Sequence, residues 1–295
     1  MLKKILIAVA RVCTLGLPLH TQVTQADAEK YATQAEQYYQ QGKYAKALEY
    51  FNKALAICLK VLGENHPDTA TCYNNIGLVY DSQGNYAQAL EYYEKSLAIE
   101  LKVKGENHPS TATSYNNIGA VYDSQGNYAQ ALEYYEKSLA IDLKVHGENH
   151  PDTATSYNNI GEVYRQQGYY AQALEYYNKA LAIFLKINGE NHADTAVCYG
   201  NIGLVYDSQG NYAQALEFYN KALAIRLKVL GENHADTAVY YGNIGGVYSK
   251  QGNYAKALEY FNKALAIAQK VLGPDHPDTK QISAALQFVE NKLSK

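Results

Sequence analysis

The chain has 295 residues, 47% of them apolar, enough to bury a sizeable core and to exclude a disordered tail. Its 26 basic and 29 acidic side chains leave a net charge of −3, too weak a field to draw in nucleic acid or an anionic membrane. Thirty Tyr beside five Phe, one Met and no Trp signals a short pattern copied several times, so repeats are the first thing to look for.

At the start of the chain, Lys3-Lys4 precede the apolar run 5–10, and after Leu17-Pro18-Leu19 a Thr/Gln stretch ends in Ala26-Asp27-Ala28. This is the pattern of a bacterial-type secretory signal with an A-x-A cleavage site. Residues 1–25 are therefore expected to be a leader, and the protein to be exported, periplasmic or secreted. Arg11 interrupts the apolar run, which keeps a second reading open, a short amphipathic helix of a cytoplasmic protein. The run is too short and too charged for a transmembrane span.

From residue 26 the chain repeats. Asn-Asn-Ile-Gly ends at Gly77, Gly119 and Gly161, its variant Gly-Asn-Ile-Gly ends at Gly203 and Gly245, and the spacing is 42 each time. Gln-Gly at Gly42, Gly84, Gly126, Gly168, Gly210 and Gly252 carries the same register back by one copy. Six copies result, over 26–67, 68–109, 110–151, 152–193, 194–235 and 236–277. The second and third differ at only five of 42 positions, while the first keeps mainly its second half. Residues 278–295 open a seventh copy with Asp278-Thr279 and then leave the pattern, as a C-terminal capping helix should.

Within the second copy, Tyr73, Ile76, Gly77 and Tyr80 fall on one helical face and predict a helix over roughly 68–83. Gly84-Asn85 breaks it, and Ala89, Leu90, Tyr93 and Leu97 predict a second helix through about Lys102. Glu91 precedes Lys95 by four residues, as Glu49 precedes Lys53 and likewise in every later copy, the favourable order for a helix-surface ion pair. Lys102 suits the negative end of that helix and Gly105 can end it. His-Pro-Ser-Thr, His-Pro-Asp-Thr at 66–69 and 150–153, then starts the next, with Pro109 fitted to a first helical turn. Strand signals are absent, so the copy is a helical hairpin.

These residues resemble the tetratricopeptide repeat, in the 42-residue variety of kinesin light chains and many bacterial proteins. Tyr73, Ile76-Gly77, Tyr80, Ala89, Tyr93 and Ser96 stand at that family's signature positions, and Leu62-Gly63-Glu64-Asn65-His66-Pro67-Asp68 is similar to the light-chain linker. The resemblance implies an all-α fold, a right-handed superhelical solenoid of stacked antiparallel helical hairpins. It also implies a non-enzymatic scaffold for protein–protein interaction. The chain shows no heptad segment of the kind a kinesin light chain uses to dimerise on its motor, so the resemblance concerns the module.

One His per copy, at His66, His108, His150, His192, His234 and His276, raises the idea of a metal ligand. Stacked helices about 8–10 Å apart cannot bring such ligands within about 2.1 Å of one zinc, so a loop or helix-cap role is expected instead. Tyr73, Tyr80, Tyr86 and Tyr93 lie on faces the hairpin must bury and read as core, their hydroxyls needing a partner or water. Cys13, Cys58, Cys72 and Cys198 show no C-x-x-C spacing, and Cys72 and Cys198 share their position with Ser114, Ser156 and Tyr240, as tolerated small residues would. No G-x-x-x-x-G-K, H-E-x-x-H or G-x-S-x-G occurs. No catalytic residue, cofactor, metal or small-molecule substrate is expected.

If the first helix of each hairpin lines the inner curve, as the resemblance implies, the groove is readable in columns. Asn74, Asn116 and Asn158 are followed by Gly200 and Gly242, while beside them Asn75, Asn117, Asn159, Asn201 and Asn243 run unbroken. An amide carries both donor and acceptor, so such a column can satisfy the backbone of an extended peptide. It resembles the asparagine ladder of light-chain-type repeats. One turn on, Leu78, Ala120, Glu162, Leu204 and Gly246 differ in nearly every copy, followed by Asp81, Asp123, Arg165, Asp207 and Ser249. Variation on one stripe of a fixed scaffold is what side-chain selectivity leaves. The expected partner is thus a protein or peptide in this groove, and the alternative is a structural module that self-associates end to end.

Overall fold

The computed structural model describes residues 24–294, so the expected leader lies outside it except for Thr24 and Gln25. Among the described residues every regular element is a helix: α1 (Gln25–Gln40), α2 (Tyr44–Val61), α3 (Pro67–Ser82), α4 (Tyr86–Val103), α5 (Pro109–Ser124), α6 (Tyr128–Val145), α7 (Pro151–Gln166), α8 (Tyr170–Asn188), α9 (Ala193–Ser208), α10 (Tyr212–Leu230), α11 (Ala235–Lys250), α12 (Tyr254–Val271) and α13 (Pro277–Leu293). The chain divides into two compact units, residues 1–147 and 148–295. In the first, α1/α2, α3/α4 and α5/α6 are hairpins, with α2 packed on α3 and α4 on α5. In the second, α7/α8, α9/α10 and α11/α12 are hairpins, α8 packs on α9, α10 on α11, and α13 closes on α12.

Local chemistry sets the helix ends. His66 caps α3, its Nδ1 accepting the Asp68 N–H at 3.1 Å, with Pro67 in the first turn where its missing N–H costs nothing. His108, His150, His192, His234 and His276 do the same at 3.1–3.3 Å, which is the cap role expected of the column. At the other end of α3 the Asn85 N–H reaches back to the Tyr80 carbonyl (2.9 Å) and the Gly84 N–H to Asp81 (3.0 Å), a Schellman closure. That closure needs the left-handed φ of 74° at Gly84, which an L side chain resists. Only three residues then separate α3 from α4, so the two must run antiparallel. Between hairpins a fully buried Thr69 ties its hydroxyl to the Gly63 carbonyl at 2.8 Å, and Thr111, Thr195 and Thr237 repeat the tie at 2.9 Å.

Inside each hairpin from α3/α4 onward an aromatic ring packs against a glycine, where the first hairpin has Ala35. A Cβ added at Gly77 would stand 2.8 Å from Tyr93, which is fully buried, and Gly119, Gly161 and Gly203 face Tyr135, Tyr177 and Tyr219 in the same way. The helices therefore approach as closely as their backbones allow, with Ala70 and Ala89 filling the rest. Tyr73, Tyr80 and Tyr92 form a half-buried ring cluster at 5.6–6.0 Å over the edge of this core. Lys95 covers it at 5.0 Å from Tyr92 while pairing with Glu91 at 2.7 Å, and every copy repeats the Glu–Lys pair. Such exposed pairs contribute a few tenths of a kcal/mol each.

Candidate functional site

The two Asn columns lie on the first helices, where they meet across adjacent hairpins. In the first unit Asn117 of α5 donates to the Asn74 carbonyl of α3 at 2.8 Å, and in the second Asn201 of α9 donates to Asn158 of α7 at the same distance. Each bond uses one N–H of the donor amide and leaves its second N–H and carbonyl lone pairs. Asn117 and Asn201 are half-buried, as are Asn116, Asn159 and Asn243, whereas Asn158 is buried. The ladder ends at both extremes. Asn75 stands one copy after Ala32, which offers no amide, and its buried Oδ1 has no partner. Asn243 follows Gly200, which has no side chain to offer.

Gly200 is explained by the neighbouring helix. A Cβ there would lie 2.6 Å from the Tyr240 hydroxyl, which donates to the Ala196 carbonyl at 3.1 Å. Tyr240 occupies the column held elsewhere by Cys72, Ser114, Ser156 and Cys198, so a larger residue on α11 is matched by a smaller one on α9.

The next stripe is less open than its variability implies. Leu78 is buried, and Ala120, Glu162 and Leu204 are half-buried. Glu162 accepts from Arg165 Nε at 2.9 Å and from the Tyr177 hydroxyl at 2.7 Å. Burial alone would raise the Glu162 carboxyl, but these two donors outweigh it and hold the group below its ordinary range. Burial, then the Glu162 charge, pushes Tyr177 up. In the following copy Leu204 replaces Glu162, and the buried Tyr219 hydroxyl has no partner. Asp207 pairs with Lys250 of α11 at 2.7 Å through one oxygen only. Glu162 and Arg165 thus form a fixed charge pair on the face of α7, and Asp207 with Lys250 bridges two first helices.

The sequence matches the tetratricopeptide repeat over 27–102, 82–144, 112–186, 152–228, 208–270 and 236–286, together an unbroken span. The chain belongs to the tetratricopeptide-repeat family. Members of this family are in general scaffolds for protein–protein interaction and typically not enzymes. Among solved structures, a Podosopora anserina kinesin-light-chain-type protein of nearly identical TPR-like repeats is similar at 24% identity, TM-score 0.59, over 70% of this chain and 98% of that one. BtubC (BKLC) from P. vanneervenii is similar at 23% identity, TM-score 0.61, over 86% and 92%. The apo form of RapI is similar at 17% identity, TM-score 0.62, over 90% and 98%. At these identities the likeness concerns the tetratricopeptide fold alone. No curated protein matches the sequence. No helix among the described residues is long and apolar enough to cross a membrane.

One variable tetratricopeptide position escapes the sequence reading. Cys58, Glu100, Asp142, Phe184, Arg226 and Ala268 are equivalent and all buried, near the end of the second helix. A charged residue inside an apolar stripe, visible once the copies are aligned, is the signal that would have found it.

Proposed function

We propose that this protein is a non-enzymatic scaffold that holds an extended segment of a partner protein along the first helices of its hairpins. The observation that carries this reading is the Asn ladder. Its 2.8 Å bonds fix the amides of Asn117 and Asn201 in one orientation before any ligand arrives, while each keeps a donor and an acceptor in hand. Amides fixed in advance lose less entropy on binding than mobile ones. At about 10 Å per hairpin and 3.3 Å per extended residue, roughly three ligand residues face each copy. The Glu162–Arg165 pair and the Asp207–Lys250 pair then supply charges that select side chains.

The test uses peptides selected from a random library on the full chain. Asn117→Ala with Asn201→Ala should weaken binding by roughly 1–3 kcal/mol, about 0.5–1.5 per bond, nearly independently of peptide sequence. Asn74→Ala with Asn158→Ala breaks the same ladder bonds from the acceptor side and serves as the control for stability. Equal affinity of wild type and the first double variant would remove the groove reading. A second reading, end-to-end self-association, is favoured by one feature, the exposed Phe288 (52%) and Leu293 (48%) on α13. It requires a molar mass by light scattering that grows with concentration.

A further inference from the structure

The buried column at Cys58 faces the next hairpin. Phe184 packs in one cluster with Cys198, and Ala268 with Ile282. Arg226 lies beside the Tyr240 hydroxyl and pairs with Asp236 at 3.1 Å. The position therefore accepts aromatic, aliphatic and charged residues, and at Phe184, Arg226 and Ala268 a side chain of the following helix packs against it. Among the described residues two thiols meet only at the junction between the first and second hairpins: Cys58 Sγ of α2 and Cys72 Sγ of α3 are 3.5 Å apart, both buried and both reduced.

We propose that Cys58 and Cys72 are a disulfide-forming pair that staples the first hairpin to the second. Cysteine is not demanded by the packing, since Ser114 fills the Cys72 position and Ala268 the Cys58 position in other copies. The staple also falls where the ladder fails, because Ala32 leaves Asn75 without an amide partner. Two polar bonds also join these hairpins, Gln25 to Asp68 at 2.9 Å and Tyr39 to Ser82 at 2.8 Å. Among the described residues the first hairpin packs on one neighbouring hairpin, and local opening of such a hairpin gives a small oxidant access to buried thiols. Closing 3.5 Å to a disulfide length of about 2.05 Å asks for roughly 1.5 Å of approach between two helices. The bond between the two thiols holds Cys58 below its ordinary range, while that bond and burial push Cys72 up.

The oxidant is a small-molecule disulfide such as oxidised glutathione. The Cys58 thiolate attacks one of its sulfurs, an S–S bond forms to Cys58, and one glutathione thiolate leaves. Cys72, deprotonated in turn, attacks the Cys58 sulfur and releases the second glutathione. Two protein thiols lose two electrons and two protons, and one small disulfide becomes two thiols. The export expected from the leader would place the pair in an oxidising compartment.

Purified full-length protein is incubated with oxidised glutathione, denatured in N-ethylmaleimide and mapped by mass spectrometry. The expected result is a linked Cys58–Cys72 peptide pair, lighter by about two hydrogen masses and closed to alkylation, while Cys198 remains alkylated. The oxidised protein should melt at a higher temperature and exchange α1 and α2 amides more slowly, both reversed by dithiothreitol. Cys58→Ala and Cys72→Ser, residues the scaffold already accepts at these positions, should abolish link and shift together. The proposal is overturned by full alkylation of both cysteines after oxidation, by a lasting glutathione adduct on Cys58, or by a link that lowers the melting temperature.

Discussion

Two glycines of the first helices behave oppositely because of what stands above them. A Cβ at Gly161 would lie 2.9 Å from the Tyr177 ring, which is buried and cannot swing away, whereas Gly246 has open space around it. Alanine gains about 1 kcal/mol over glycine in a helix interior, so Gly246→Ala should raise stability by up to that amount. Gly161→Ala should lose about 1–3 kcal/mol despite the same gain, because the ring and both helices must shift. Urea melts of the two variants check the contrast. The glycine shared by the second to sixth copies was legible from its place in the helical stripe. The use of Glu162 was only half legible, since its spacing to Arg165 shows in the sequence but the Tyr177 hydroxyl, fifteen residues on, does not.

Between elements, the match of Gly200 to Tyr240 can be measured as a coupling. Gly200→Asn alone drives a side chain into the Tyr240 ring and should destabilise, while Gly200→Asn with Tyr240→Ser restores the arrangement of Asn74 and Ser114 and gives Asn243 an acceptor. The double variant should be more stable than the sum of the singles by about 0.5–3 kcal/mol, read from a double-mutant cycle by chemical denaturation. The hairpins themselves were readable in advance, because Gln-Gly and His-Pro end and start helices by local chemistry alone. The junctions were not: Asn117 bonds Asn74 from 43 residues away, and Cys58 meets Cys72 only once α2 and α3 are stacked. The columns at Cys58 and Cys72 each look like drift, and only stacking shows that they vary in pairs.

For the whole molecule, tyrosine in the core sets an alkaline limit. Burial, the leading cause in each case, pushes Tyr93, Tyr177, Tyr219 and Tyr240 above the ordinary value of 10. Their neutral forms are favoured in the folded state, so the stability they contribute is complete below pH 10 and is lost as pH rises through the raised values. Titration followed by phenolate absorbance and helical circular dichroism should show these four ionising together with unfolding, after the exposed tyrosines; ionisation of all tyrosines with helicity intact would contradict it. The paired columns also bear on heredity. Nearly identical 42-residue segments encoded side by side invite unequal recombination, which removes or adds one whole segment in frame. Deleting 68–109 would set Cys58 against Ser114, a tolerable contact, but deleting 194–235 would force Phe184 against Tyr240. Copy number in this gene is therefore free to change at some boundaries and closed to change at others.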